Sequence, residues 1–498
     1  MISHALLSPI RIFAVTILVG LTGCAAVGPT YQKPEPELPA QWAEGGGTSA
    51  MPVVALDTWW TQFKDPLLDS LVRRAIAANH DLRLADTRLR EARAQRQLAG
   101  AARVPAINAS SAYSKSRSYE NTQNGDVKAD LYQVGFDAGW EIDIFGGVRR
   151  SIEAADASVA VSEEDRRDVL VTLMGEVARN YLELRGSQQR LVIARKNIAN
   201  QQETVQLVEK RAEIGLSGEL EVEQAKNQLY LTKSRATDIE TTTRQTMHRM
   251  ALLLGEQPQA LVAELSPEAL LPAAPPEIPL TLPSDLLRRR PDIRRAERQL
   301  AAATAEVGVA TAELFPRFSL GLLGGLQSQN LSDLVTSGSR FWSLGPTVKW
   351  SLFDGGRARA GVEVQDARRE RAEIGYEKTV LAALGDVENA LVALALEKEN
   401  RKNLGAAVVS AQRAASLAGG QYQLGLVDFL NVLQTETSLS QSEDQLVQSD
   451  QRLATNVVSL FKALGGGWDP AAEETSRMPS RQGPSSPGVV VAGNAMPE

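Results

Sequence analysis

The chain has 498 residues, 43% hydrophobic, 23% charged and 5% aromatic, a balance that excludes a many-spanning helical membrane protein. Its 53 Lys and Arg against 60 Asp and Glu give a formal net charge of −7, which argues against nucleic acid as a partner. One cysteine in the whole length leaves no internal disulfide and no cysteine metal cluster.

In chain order, Arg11 precedes the apolar run Ile12 to Val19, too short to span a bilayer but right for a signal-peptide core. Residues 1–23 are therefore predicted to be a signal peptide. The run ends in Leu21-Thr22-Gly23-Cys24, small residues before a cysteine that resemble a bacterial lipoprotein box, which implies a covalent lipid such as palmitate on Cys24. Ala25 follows it, where Asp would resemble an inner-membrane retention signal, so the resemblance favours the outer membrane. Residues 24–65 hold Pro29, Pro34, Pro36 and Pro39 and read as an extended, lipid-anchored segment.

Helical patterning starts near Pro66, where Leu67, Leu71, Ala75, Ala78, Leu82 and Leu89 form one stripe to about Gly100, and Pro105 stops it. Two alternating segments follow, from Ile107 to Tyr113 and from Val134 to Ile142, the second with Val134, Phe136, Ala138, Trp140 and Ile142 on one face. Asn124-Gly125-Asp126 reads as the turn between them. From Arg149 to Arg211 there is no proline, and Leu170, Val177, Leu184, Leu191, Ile198, Val205 and Ala212 recur at sevens. That period predicts a left-handed coiled-coil rod about 95 Å long at 1.5 Å per residue. Gly215 and Gly218 turn the chain, and Val222, Leu229, Ala236, Thr243 and Met250 carry the returning helix to Gly255.

Residues 66–257 make one unit, a proline-rich joint covers 258–284, and the unit recurs over 285–468. Trp140 and Trp350, Gly215 and Gly425, and Gly255 and Gly465 stand 210 residues apart; Asp81 and Asp292, and Pro105 and Pro316, stand 211 apart. In the second copy Asp285 to Glu313 reads as a helix, Phe318, Leu320 and Leu322 alternate, and so do Leu344, Val348, Trp350 and Leu352. Pro346 on that face suggests a bulge or a later strand start. Val380, Val387, Leu394, Val408, Ala415 and Tyr422 form the second ladder, interrupted by Arg401, and Val432 to Leu460 bring the chain back to Gly465. Residues 469–498 read as a disordered tail.

Four strands of about ten residues match outer-membrane strands, yet a barrel needs about eight and an open edge in lipid is not viable. The strands are thus expected to be shared between two or three chains. Polar or small second seam positions (Ser187, Ala194, Gln201, Thr232, Thr246) fit a helix side facing water. The fold class is mainly α with a β-barrel part, internally duplicated.

Trp59-Trp60 with Asp65-Pro66-Leu67-Leu68-Asp69, then Leu287-Arg288-Arg289-Arg290-Pro291-Asp292-Ile293, then Phe353-Asp354-Gly355-Gly356, all around a duplicated hairpin-plus-coil unit, resemble the TolC-like outer-membrane efflux family in its lipoprotein branch. The resemblance implies a homotrimer whose twelve strands form one outer-membrane barrel continuous with a periplasmic α-helical tunnel. It implies the exit duct of a tripartite pump, partnered by a periplasmic adaptor and an inner-membrane RND-type pump. No Gly-x-x-x-x-Gly-Lys loop exists, so energy is expected from a partner and the duct is passive.

The interhelical turns place apolar residues, Leu216 and Leu426, beside Gly215 and Gly425. Two readings stand: each leucine folds back on its helix end, or, as the resemblance implies, the tips dock on the adaptor. Asp428 either caps the helix starting at Phe429 or contributes to a ring of carboxylates in a symmetric assembly. Asn431 and Gln434 stand where some relatives carry aspartates, which weakens a fully acidic gate. The resemblance aligns Tyr422 with a gate tyrosine and Glu221 with its acidic partner. His4, His80 and His248 lack ligand or triad partners and no catalytic motif appears, so neither enzyme activity nor a metal is expected. The rival reading is a structural coiled-coil outer-membrane lipoprotein without a pore.

Overall fold

The computed structural model describes residues 26–43, 56–117, 128–275 and 283–469. Cys24, the Asn124-Gly125-Asp126 turn and residues beyond Asp469 lie outside them.

A 3-10 segment, Leu56–Phe63, buries Trp59 and Trp60 before the first helix. Asp65 then caps α1 (Pro66–Ala78), its carboxylate accepting from the Leu67 amide at 2.9 Å, while Pro66 fills the first helical turn. The sequence stripe running on to Gly100 is in fact two helices. Asn79, at φ −58°, ψ 134°, ends α1 and caps α2 (His80–Ala101), its side chain accepting from Leu82 at 3.0 Å and donating to the Leu253 carbonyl at 2.9 Å. Strands β1 (Ala106–Arg117) and β2 (Lys128–Ile142) are longer than the alternation alone delimits. They lead into α3 (Gly147–Glu213, 67 residues), which returns as α4 (Glu219–Leu253, 35 residues).

In the joint between the units one turn, α5 (Val262–Leu265), packs Leu261 and Leu265 into the core. The second unit repeats the first, including its break. The expected helix from Asp285 to Glu313 divides into α6 (Leu286–Arg289) and α7 (Pro291–Ala312), because the residue before Pro291 is pushed out of helical geometry. Arg290 accordingly sits at φ −76°, ψ 119°, 211 positions after Asn79. It is bound in place by Asp292 at 2.7 Å, Asp386 at 3.0 Å and the Ala463 carbonyl at 3.1 Å. Strands β3 (Arg317–Ser328) and β4 (Arg340–Lys349) precede α8 (Arg357–Gln423, 67 residues) and α9 (Phe429–Ala463, 35 residues).

Pro346 introduces no bulge and no later start: β4 begins at Arg340 and pairs in unbroken register, Leu320 opposite Pro346. Within this chain β4 is the last strand of the antiparallel sheet β1-β2-β3-β4, so it pairs on one side only, the side of β3. Trp350 and Leu352 lie just past the strand end.

The helices form a single layer. α2, α3, α7 and α8 lie side by side near the sheet; farther away α4 and α9 replace α2 and α7, giving the order α4, α3, α9, α8. The main core lies where these halves exchange partners, with Trp59 stacked on Phe461 at 5.2 Å. The guanidiniums of Arg167 and Arg294 lie 5.0 and 5.1 Å from the Trp468 ring. The polar seam residues expected to face water are buried instead: Ser187, Gln201, Thr232 and Thr246 are each at most 5% exposed. The hydroxyls of Ser187, Thr232 and Thr246 are satisfied within the coil, Thr243 donating to Ser187 at 3.1 Å and Thr246 to the Thr242 carbonyl at 2.9 Å, so small polar groups let the helices approach. The Gln201 side-chain oxygen is buried without a hydrogen-bond partner among the described residues.

Candidate functional site

Two places carry chemistry, the sheet and the helical tips 67 residues away along the long helices. At about 1.5 Å per residue that separation is roughly 100 Å.

Register divides the sheet into two unlike faces. Val134, Phe136, Ala138, Trp140 and Ile142 of β2 stand opposite Leu326, Gly324, Leu322, Leu320 and Phe318 of β3, and the last four of these oppose Trp342, Leu344, Pro346 and Val348 of β4. The other face presents Gln133, Asp137 and Glu141 opposite Gln327, Leu323 and Ser319. Phe136, Leu344 and Val348 are at least 57% exposed, so this chain leaves its apolar face unpartnered. In water that face would be an aggregation surface; against lipid it is the expected belt of an outer-membrane strand. Trp140 and Trp350 each donate their indole N–H at 3.1 Å to a carbonyl of the preceding helix-to-strand turn, Arg103 and Leu314. These bonds put both rings at the helix end of the sheet.

The sheet-to-coil turns are built alike. Asp143 accepts from the Val148 and Arg149 amides at 3.1 and 2.9 Å, and Asp354 accepts from Gly356 and Ala358 at 2.9 Å each, before α3 and α8 begin. Here the extended segment 26–43 crosses the helices: Val27 donates to the Phe145 carbonyl at 3.0 Å and Arg150 donates to the Val27 carbonyl at 3.1 Å. Gly28, at φ +85°, lies on Gly308 so closely that a β-carbon would fall 2.5 Å from its Cα.

At the opposite end, Gly215 and Gly425 take φ of +72° and +73° and close α3 and α8 with matched turns. Leu216 donates to the Arg211 carbonyl at 2.8 Å and Leu426 to the Gln421 carbonyl at 2.9 Å. The leucines do not fold back: Leu216 is 63% and Leu426 69% exposed, with Ile214, Leu220, Leu424 and Leu430 exposed around them. Tyr422 is buried at 6% exposure, and its hydroxyl meets Glu221 Oε2 at 3.1 Å and Ser217 Oγ at 3.2 Å. Its ring lies 4.7 Å under the Arg211 guanidinium and 5.6 Å from Phe429. A second apolar cluster, with Val208, Val222, Phe429 and Val432 around it, joins the two hairpin ends.

Asp428 occupies the N-cap position of α9 but its side chain makes no capping bond; it is exposed, as are Asn431 and Gln434 on the following turns. The simple cap expected for it is therefore absent. Arg211 and Ser217 were not singled out by sequence reasoning, since nothing local reveals that Tyr422, over 200 positions away, lies beside them. Glu436 was missed for the same reason: burial between α9 and α3 raises its pKa, opposed by the Thr204 hydroxyl. Among the described residues no group of His, Cys, Asp and Glu suits a metal ion.

The family model described as outer membrane efflux protein matches residues 71–256 and 282–466. Outer membrane protein OprJ of Pseudomonas aeruginosa is 33% identical, covering 91% of this chain and 95% of its own length. The probable outer membrane lipoprotein SilC of Salmonella typhimurium is 32% identical over 92% of this chain and 99% of its own. The solved structure of the outer-membrane channel OprN superposes with a TM-score of 0.85 at 36% identity, covering 89% of this chain and 100% of that one. With a sheet that suits lipid on one face and long helices that suit an aqueous compartment, this chain belongs to the outer membrane efflux protein family and serves as an outer-membrane efflux channel.

Proposed function

We propose that three copies of this chain close into one duct, twelve strands in the outer membrane continuous with a periplasmic helical tunnel, forming the exit of a tripartite efflux pump. One observation carries this reading. The sheet ends at β1 and β4, and the helix layer ends at α2 and α8 near the sheet and at α4 and α8 beyond it, so sheet and layer are open at the same two sides. A rotation that pairs β4 with the next β1 also lays α8 against the next α2 and α4, removing every open edge in lipid at once. An anchored coiled coil without a pore would instead leave the apolar sheet face in water. The duct itself does no chemistry and draws its energy from an inner-membrane RND-type pump reached through a periplasmic adaptor. The exposed Leu216 and Leu426 at the turns of Gly215 and Gly425 suit apolar docking on that adaptor.

In this reading Tyr422 and Glu221 hold the periplasmic end closed, with Asp428, Asn431 and Gln434 forming the polar lining beside them. The lipid on Cys24 anchors the chain two residues before Ala26, and the adjoining crossing at Val27 and Phe145 keeps that anchor at the membrane end of the coil. The test is conductance in a planar bilayer together with native mass. Single channels from a particle of three copies are expected, and a monomer without conductance refutes the reading.

A further inference from the structure

Glycine inside an exposed helix costs about 1 kcal/mol relative to alanine, so it persists where something approaches closely. In α3 both glycines have a neighbour: a β-carbon on Gly175 would touch the Lys462 stem at 3.5 Å, and Gly186 lies so close to Gln451 that a β-carbon would collide with it. In α8, by contrast, Gly375, Gly385 and Gly405 have nothing within 4 Å of a β-carbon position. The same helix holds an apolar stretch of mean hydropathy 1.6 of which only 33% is buried. Among the described residues of this chain nothing covers those helical glycines or most of that apolar stretch.

The internal duplication supplies a template for what could cover them. α3 and α8 have equal length at an offset of 210, α4 and α9 likewise, and α2 and α7 are offset by 211. The intrachain seams of α3 with α7 and α9 are therefore templates for seams of α8 with α2 and α4, which no single chain makes. Within the chain Arg295 bonds Asp165 at 2.8 Å; the corresponding positions are Leu84 and Gly375. Asn197 bonds Ser440 at 2.9 Å; the corresponding positions are Ala407 and Tyr230. Gly175 meets Lys462, and its counterparts are Gly385 and Leu252. In each case a large apolar residue stands opposite glycine or alanine. Leu84, Tyr230 and Leu252 are 54%, 63% and 59% exposed in the single chain.

We propose that a second copy of this chain fills these hollows, with Leu84, Tyr230 and Leu252 of one copy seated against Gly375, Ala407 and Gly385 of the next. This rests on the closed-ring reading above and gives it a residue-level register. It also explains why the two kinds of seam differ in chemistry. Charged pairs such as Arg295 with Asp165 hold α3 to its own neighbours, whereas the α8 seam sets small residues against large side chains.

Paired cysteines test this in the full-length protein in outer-membrane vesicles. Cys24 is the sole native cysteine and is blocked when acylated. Tyr230→Cys with Ala407→Cys, and Leu252→Cys with Gly385→Cys, should give dimer and trimer bands without reductant. Those bands should be at least tenfold stronger than for either single substitution and absent after reduction. Separately, Gly385→Leu, which favours the helix itself, should lower the trimer fraction at least tenfold, and adding Leu252→Ala should restore it. If the parent protein forms conducting trimers while neither cysteine pair cross-links and Gly385→Leu assembles normally, the seam is wrong and the ring stands. If the parent protein is monomeric and without conductance, the ring and the seam fall together.

Discussion

Replacing Tyr422 by Phe together with Glu221 by Gln isolates the contact that ties the two hairpin ends. The ring keeps its packing on Phe429 and under Arg211, so only the hydroxyl and the carboxylate charge are lost. A buried hydrogen bond to a charged acceptor contributes about 1.5–3 kcal/mol, and the partial exposure of Glu221 reduces this to about 1–2 kcal/mol per copy. Over three copies that is about 3–6 kcal/mol, enough to shift a closed-to-open ratio by roughly 10² to 10⁴. Open probability of the isolated channel in planar bilayers should rise at least tenfold, with heat-modifiable trimers unchanged. Burial raises the Tyr422 pKa, the Ser217 hydrogen bond lowers it and the Glu221 carboxylate raises it, leaving it above the ordinary phenol value of about 10. A raised phenol favours the closed tip fully below about pH 10 and loses that contribution as pH rises through the folded value. No tyrosine-linked step is therefore expected between about pH 6 and 9. Unchanged conductance in correctly assembled double variants would refute the gate and leave the channel intact.

Arg290→Ala should destabilise the chain by about 2–4 kcal/mol, since it strands Asp292 in a half-buried site. Burial raises the Asp292 pKa, but the Arg290 hydrogen bond and charge outweigh it and hold it below the ordinary carboxylate value. That contribution is present above about pH 4 and lost as pH falls through the folded value, so thermal unfolding of Arg290→Ala should show a shallower acid slope than the parent; an identical slope contradicts the assignment. Cys24→Ser should leave an unacylated protein that still trimerises, as judged by native mass, and loss of trimers would mean that the barrel is not the principal attachment. Lipid-soluble quenchers should reach Trp140 and Trp350, read as the fluorescence removed by Trp140→Phe with Trp350→Phe; quenching of that component by aqueous iodide alone would put the rings on the wrong face.

Periodicity made the long elements legible. The sevens from Leu170 to Ala212 and from Val380 to Tyr422 fall within helices of 67 residues each, and the alternation in β2 follows the face that the register gives it. Breaks were less visible. Asn79 interrupts a helix whose apolar stripe runs on, because its amide side chain also holds the Leu253 carbonyl, a reward that local propensity does not carry; at Arg290 the local signal was present in Pro291, and a guanidinium that holds two aspartates fixes the kink. The tips were half legible: glycine spacing located the turns, whereas the outward leucines and the uncapped Asp428 depend on what packs beside them.

By itself the sequence determined the duplication, the coil, the lipid-length strands and the family resemblance, because each is written in spacing along one chain. Only the tertiary structure decided that Tyr422 lies beside Ser217 and Glu221, that the polar seam residues are buried, and that sheet and helix layer end at the same open sides. Those facts depend on which surfaces meet across hundreds of residues, and a pattern of local periods carries no term for that distance.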